Sequence, residues 1–291
     1  NLLWTGQLEG GAFQAGDATA YQDLPLQDGA DNPIEQFQAA LAFVSAGDLA
    51  AHQHAPPAVA RTGARILGVL RYVATGEAGE LSLAAALQNT WAPGDEKAAE
   101  LLSAALVLCA DHELNVSAFT ARCVASAGAS PYAVVIAALS ALQGHRHGGH
   151  TARAAALLQA AEGGVRPAIA FYLQAGDQLP GFGHPLYPEG DPRGRYLLER
   201  LNQLYPGSPI LAVTNELCAA AAAILGQQPT IDLALAALAA VLGAPRSSPL
   251  AIFALGRTAG WIGHAIEQYA LDQLIRPRAR YVGPAPLPNE R

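Results

Sequence analysis

The sequence predicts an all-helical protein, and three observations carry that expectation. Hydrophobic residues make up 51% of the 291 positions, with Ala the commonest and aromatics only 7%. Runs rich in Ala and Leu and poor in β-branched residues favour helix. Apolar positions recur at helical spacing along most of the chain, and no run alternates convincingly at period two, so strand content is expected to be minimal. Several runs also open on helix-start chemistry. Asp95-Glu96 puts acid in a first turn, Ser130-Pro131 and Asp191-Pro192 each pair an N-cap with a first-position Pro, and Thr230 precedes Asp232.

Taken in order, helices are expected at 33–46, 57–76, 80–91, 95–110, 114–128, 131–142, 148–162, 166–176, 192–205, 208–225, 230–242 and 247–274. Segment 48–58 reads as a polar loop, and the Pro-rich tail 276–291 as extended chain. The start, "NLLWTGQLEGGAF", reads as the end of a helix already under way, and the chain contains no Met, so the natural protein is expected to begin upstream. The length suits one large domain or two moderate ones.

Composition excludes several classes. A net charge of −7 argues against a nucleic-acid surface. Cys109, Cys123 and Cys218 show neither paired nor metal-ligand spacing, which points to a reducing compartment, the cytoplasm. The longest apolar runs, 217–225 and 231–242, are too short to span a bilayer, and no membrane partner is expected.

Chemistry concentrates in six segments. "GHRHGGHTARAAALL" carries His145, His147 and His150. An H-x-H-x-x-H pattern can surround zinc, as in metal-dependent hydrolases. Such sites normally add an acid within the motif, whereas Gly148 and Gly149 fill the space here, so no metal is expected. The second reading is electrostatic: the Gly pair turns the chain into a helix whose N-terminal dipole keeps His147 neutral. A neutral N–H suits a developing enolate oxygen. A capping or surface His is the plain alternative for any one of the three.

"LPGFGHPLYPEGDPRGRYLLERL" holds His184 and Arg193 on either side of a Pro-rich turn. Arg193 falls in a first helical turn, where the dipole disfavours a cation, so it is expected to answer to an anion. "CADHELN" sets His112 between two carboxylates at a helix junction. "TIDLALAALAAVLG" places Asp232 nearly alone in an apolar helix, where an ordinary first-turn acid is the simplest account. "GRTAGWIGHAIEQ" carries Arg257 among apolar neighbours, and "LIRPRARYVGP" groups Arg276, Arg278 and Arg280, as a solvated tail often does.

In this order and at these spacings, the segments resemble the motifs of the citrate synthase family, closely over 95–283 and loosely over 1–94. The resemblance implies an all-α fold: a large helical domain (1–148 and 245–291, its N-terminal part apparently truncated) and a smaller one (149–244), with the active site in the cleft between them. It implies a homodimer that condenses acetyl-CoA, or a short acyl-CoA, with oxaloacetate to citrate or an alkylcitrate. That reaction enters the tricarboxylic acid cycle and needs no metal or resident cofactor. Position by position, His147 is expected to hydrogen-bond the thioester oxygen, Asp232 to take the methyl proton and His184 to polarise the keto group. His112, Arg193 and Arg257 are expected to hold the 2-oxo acid, with Arg276 reaching in from the partner subunit.

The chain departs from the family pattern at three places. His145-Arg146 stand where Pro and a small residue are usual, His150-Thr151 replace Ala-Asn, and Pro188-Glu189 stand where a basic residue often serves CoA phosphates. Arg146 and Arg153 are the candidates to take that part. A 2-methylcitrate synthase using propionyl-CoA, a citryl-CoA-cleaving relative and a non-catalytic metabolite-binding paralogue remain as alternatives.

Overall fold

The computed structural model describes residues 2–7, 21, 24, 32–79 and 81–284. Among these, regular structure is helical apart from two isolated β-bridges. In chain order the helices are α1 (Leu2–Thr5), α2 (Pro33–Ser45), α3 (Pro56–Thr75), α4 (Leu83–Trp91), α5 (Glu96–Ala110), α6 (Val116–Ser126) and α7 (Pro131–Leu142). They continue as α8 (Gly149–Glu162), α9 (Val165–Gln174), α10 (Pro192–Leu204), α11 (Pro209–Leu225), α12 (Ile231–Val241) and α13 (Ser248–Leu271).

The expected start signals act as caps. Asp95 accepts from the Lys97 N–H, Ser130 from Ala133, Asp191 from Arg193 and Thr230 from Asp232. Each satisfies a donor that the first helical turn leaves unpaired. One expectation needs correction. The polar segment 48–58 is not all loop: Leu49–His52 forms a 3-10 turn capped by Asp48, and α3 already starts at Pro56. In the tail, residues 276–284 carry no helix, as expected, and the rest of it lies outside the described residues.

Two helices organise the core. α13 packs against α2, α3, α5, α6, α7, α8 and α12, and is buried along most of its length. α12 is buried nearly all round, with neighbours α8, α10, α11 and α13. A helix apolar on every side belongs inside the protein. Glycine allows the closest approaches. A Cβ on Gly256 would come within 2.6 Å of the Leu106 carbonyl, and one on Gly194 within 2.6 Å of the Thr230 backbone. The first lets α13 lie on α5, and the second brings the start of α10 onto the start of α12. Arg193 and Asp232 belong to those two starts.

Candidate active site

A cavity of about 360 Å³ opens among these helices, and its lining includes His112, His147, His184, Arg193, Asp232 and Arg257. These residues are scattered over some 145 positions of sequence, as their numbers show. Six of the seven site residues expected from sequence thus share one cavity. Arg276 does not line it, and is exposed beyond α13.

Local structure explains each placement. His147 precedes α8 in a tight turn closed by the Gly148 N–H to the Leu142 carbonyl at 2.8 Å. His147 Nε2 lies 2.8 Å from Ser117 Oγ. That hydroxyl also receives the Trp261 indole N–H at 3.2 Å and donates to Asn115 Oδ1 at 2.9 Å. The His147 pKa falls to about 4, first through burial, then through the Arg257 and His150 charges. Burial thus favours the neutral imidazole expected for His147, which stands just ahead of the α8 N-terminus.

The loop before α10 is held against the chain entering α12. Thr230 N–H donates to the Gly181 carbonyl at 2.8 Å, and Gly183 N–H to the Gln228 carbonyl at 2.9 Å. This brings His184 into the cavity. Its Nδ1 accepts from the Leu186 N–H at 3.2 Å, so a neutral ring carries its proton on Nε2. Burial, then the Arg193 charge, lowers its pKa. His112 Nε2 shares a 2.7 Å hydrogen bond with the Tyr187 hydroxyl, and its pKa falls to about 4 by burial, with Arg193 and Arg257 adding to the effect.

Arg193 does answer to an anion, and within the protein that anion is Asp191. Nε and Nη2 donate to the two Asp191 oxygens at 3.0 and 2.9 Å. Burial pushes the Asp191 carboxyl up, but Arg193 and the Ile231 and Arg193 backbone N–H groups outweigh it and hold its pKa down. Asp191 thereby fastens α10 to α12, through an Ile231 N–H donation of 3.0 Å.

Arg257 is fully buried, and its Nε donates to the Cys109 carbonyl at 2.7 Å. Both terminal nitrogens are buried and have no hydrogen-bond partner among the described residues. Burial lowers its pKa to about 10, which still leaves it cationic at neutral pH. Unpaired donors on a buried cation are costly, and at the edge of a cavity they fit an anionic ligand.

Asp232 does not behave as a plain first-turn acid. Thr230 caps the helix, while the Asp232 carboxylate turns to Thr151, whose hydroxyl donates to Oδ1 at 2.5 Å. Burial raises its pKa, opposed by Thr151, His150 and Arg193. Ser117, Tyr187 and Thr151 are contacts that the sequence reading missed. Tyr187 lies three residues from His184 inside a segment already singled out, and Ser117 lies five residues from His112, two beyond the end of "CADHELN". Of the departures, Arg146, His150 and Thr151 line the cavity, as does Arg153, while His145 is exposed. Among the described residues no group of three His, Cys, Asp or Glu is arranged to hold a metal ion. No described helix is long and apolar enough to cross a membrane.

An all-helical fold thus sets imidazoles, a desolvated carboxylate and a guanidinium around one cavity, groups of the kind that can hold an anion and exchange protons. Residues 15–278 match the family model described as citrate synthase, C-terminal domain, and the chain belongs to the citrate synthase family. It is 36% identical over 201 residues to putative citrate synthase 2 of Mycobacterium tuberculosis (strain ATCC 25618 / H37Rv), a match covering 66% of this chain and 53% of that protein. It is 31% identical over 196 residues to 2-methylcitrate synthase of Shewanella oneidensis, covering 64% of this chain and 51% of that one. The chain thus spans about half the length of the curated relatives it matches. Its fold is that of citrate synthase from Thermoplasma acidophilum, solved in ternary complex with carboxymethyl coenzyme A and oxaloacetate. The TM-score is 0.81 at 24% identity, covering 100% of this chain and 86% of that one.

Proposed function

We propose that this chain condenses a short acyl-CoA, acetyl-CoA or propionyl-CoA, with oxaloacetate. The carrying observation is the gathering of His147, His184, Asp232 and the unpaired donors of Arg257 around one cavity. A relative named 2-methylcitrate synthase keeps propionyl-CoA beside acetyl-CoA as a candidate. The CoA thioester is a co-substrate, and no resident cofactor enters.

In this reading an Asp232 oxygen takes a proton from the acyl α-carbon. The C–H electrons move into the enol, whose oxygen His147 stabilises by a hydrogen bond. Ser117 has one hydroxyl proton. Turned from Asn115 Oδ1 to His147 Nε2, it leaves the ring proton on Nδ1, free to be that donor. The enol carbon then attacks the oxaloacetate keto carbon, His184 Nε2–H gives its proton to the oxygen that becomes the hydroxyl, and the proton that Asp232 removed keeps the balance. Water cleaves the thioester and frees the CoA thiol. Arg257 grips a substrate carboxylate as a fork, with His112 and Arg193 beside it. Arg146 and Arg153, on the cavity wall, are the basic groups available to CoA phosphates.

The division into a large unit (1–148 and 245–291) and a small one (149–244) belongs to the same proposal, with the cavity between them. So do a cytoplasmic location and a homodimer in which the partner subunit's Arg276 completes the site.

The test is an acyl-CoA panel, with and without oxaloacetate, following free thiol. Thiol release should require oxaloacetate, and Asp232→Asn should slow turnover by roughly 10²–10⁴-fold. Oxaloacetate-independent release, or near-normal turnover in the variant, would remove the assignment.

A further inference from the structure

Resting on the reading of Asp232 as the base, we propose that Thr151 is a positioning residue that fixes the Asp232 carboxylate and selects Oδ2 as the oxygen that takes the proton. Thr151 is almost fully buried in the first turns of α8, and its hydroxyl donates to Oδ1 at 2.5 Å across the α8–α12 contact. A threonine has one such proton, and it is committed here. Oδ2 has only a long contact, 3.4 Å, from the Thr230 hydroxyl. The two carboxylate oxygens are therefore unlike. Oδ1 has one lone pair engaged by a short bond, and Oδ2 keeps its electron pairs for an incoming proton. A carboxylate that rotates freely would present either oxygen in many orientations, and proton transfer is sensitive to such geometry.

The same bond stabilises the charged form of an acid that burial pushes toward neutrality. Other titratable or charged groups also lie around Asp232. His150 comes from α8, Arg193 and Asp191 from the start of α10, His184 from the preceding loop, and the Cys109 thiol from α5. Arg257 of α13 shares the cavity, and α11 contributes no lining residue. All of these remain in a Thr151 variant, so the variant isolates the hydroxyl.

Thr151→Val keeps shape and removes the donor, Thr151→Ser restores it, and Asp232→Asn serves as the reference. Thr151→Val should lower kcat about tenfold or more, with KM for both substrates changed less than about twofold. The acid limb of its pH–kcat profile should move to higher pH, because the ionised carboxylate has lost a donor. Thr151→Ser should bring back both the rate and the limb. If Thr151→Val folds poorly by circular dichroism, Thr151→Ala removes the same donor with less bulk and carries the test. Wild-type kcat and an unmoved limb in the donor-less variant would overturn the proposal. So would a loss equal at every pH and shared by Thr151→Ser, which marks a packing role. Asp232→Asn separates the two levels. Its near-normal turnover overturns the base assignment itself, whereas its inactivity beside an unaffected Thr151→Val overturns Thr151 alone.

Discussion

Ser117 shows how one buried hydroxyl governs a site from behind. It meets His147 Nε2 at 2.8 Å and receives the Trp261 N–H, so the imidazole is held on one edge and faces the cavity with the other. Ser117→Ala removes the group that holds the ring at Nε2. Turnover should fall roughly 10–100-fold with a smaller change in KM, read from initial rates across both substrates. At this scale the sequence made much of the site legible. His147, His184 and Asp232 stand in ordered motifs, and the family resemblance turned weak single signals into a strong set. Ser117, Tyr187 and Thr151 were not legible, because a hydroxyl acts through a tertiary contact and has no spacing rule of its own. Arg193 was half legible: an anion was expected beside it, but the Asp191 carboxylate two residues away already takes that place.

At the scale of elements, the starts of α10 and α12 are fastened as a unit. Asp191 caps its own helix, binds Arg193 and accepts the Ile231 N–H. Gly194 permits this approach, since any side chain there would strike the Thr230 backbone, which has no flexible end to yield. Gly194→Ala should destabilise the protein by about 1–3 kcal/mol, as overpacking does, and push the start of α12 away from Arg193. A lower melting temperature with a larger fractional loss of kcat checks this, and an unchanged melting temperature contradicts it. Helix positions were legible almost to the residue, as at 131–142, because caps and periodicity agree there. The 3-10 turn at Leu49–His52 was not. A four-residue turn leaves too few apolar positions for a period, and its Asp48 cap looks like any loop acid.

At the scale of the whole molecule, burial of neutral imidazoles links stability to pH. His112 and His147 fall from the ordinary 6.5 to about 4. Between those values the unfolded chain binds protons that the native protein refuses. Their contribution is therefore present above about pH 6.5 and is lost as pH falls toward 4. Asp232 works in the opposite sense: its raised pKa gives stability at low pH that is lost as its carboxyl ionises. A double His112→Asn/His147→Asn variant should show a flatter melting temperature from pH 7 to 4 than the wild type, and parallel curves would contradict the linkage. A second prediction concerns subunits. Arg276 is exposed beyond the last helix, and in the proposed dimer it serves the neighbouring site. Asp232→Asn and Arg276→Ala should each be inactive alone. Co-expressed, about half the dimers are mixed and hold one intact site, so about a quarter of wild-type activity should return. No recovery, with mixed dimers verified by mass, would assign Arg276 to its own subunit or to none.

The buried guanidinium of Arg257, with two nitrogens lacking a protein partner, has a consequence for the life of the protein. Its unmet donors weaken the fold, and a fitting dianion returns that loss on binding. In the proposed function that dianion is the 2-oxo acid, so its supply would act as a folding factor, and a cell short of it would hold a protein that opens, and is digested, more readily. A greasy replacement at 257 would make a sturdier protein with nothing to do. Selection for the reaction keeps the weaker scaffold in place.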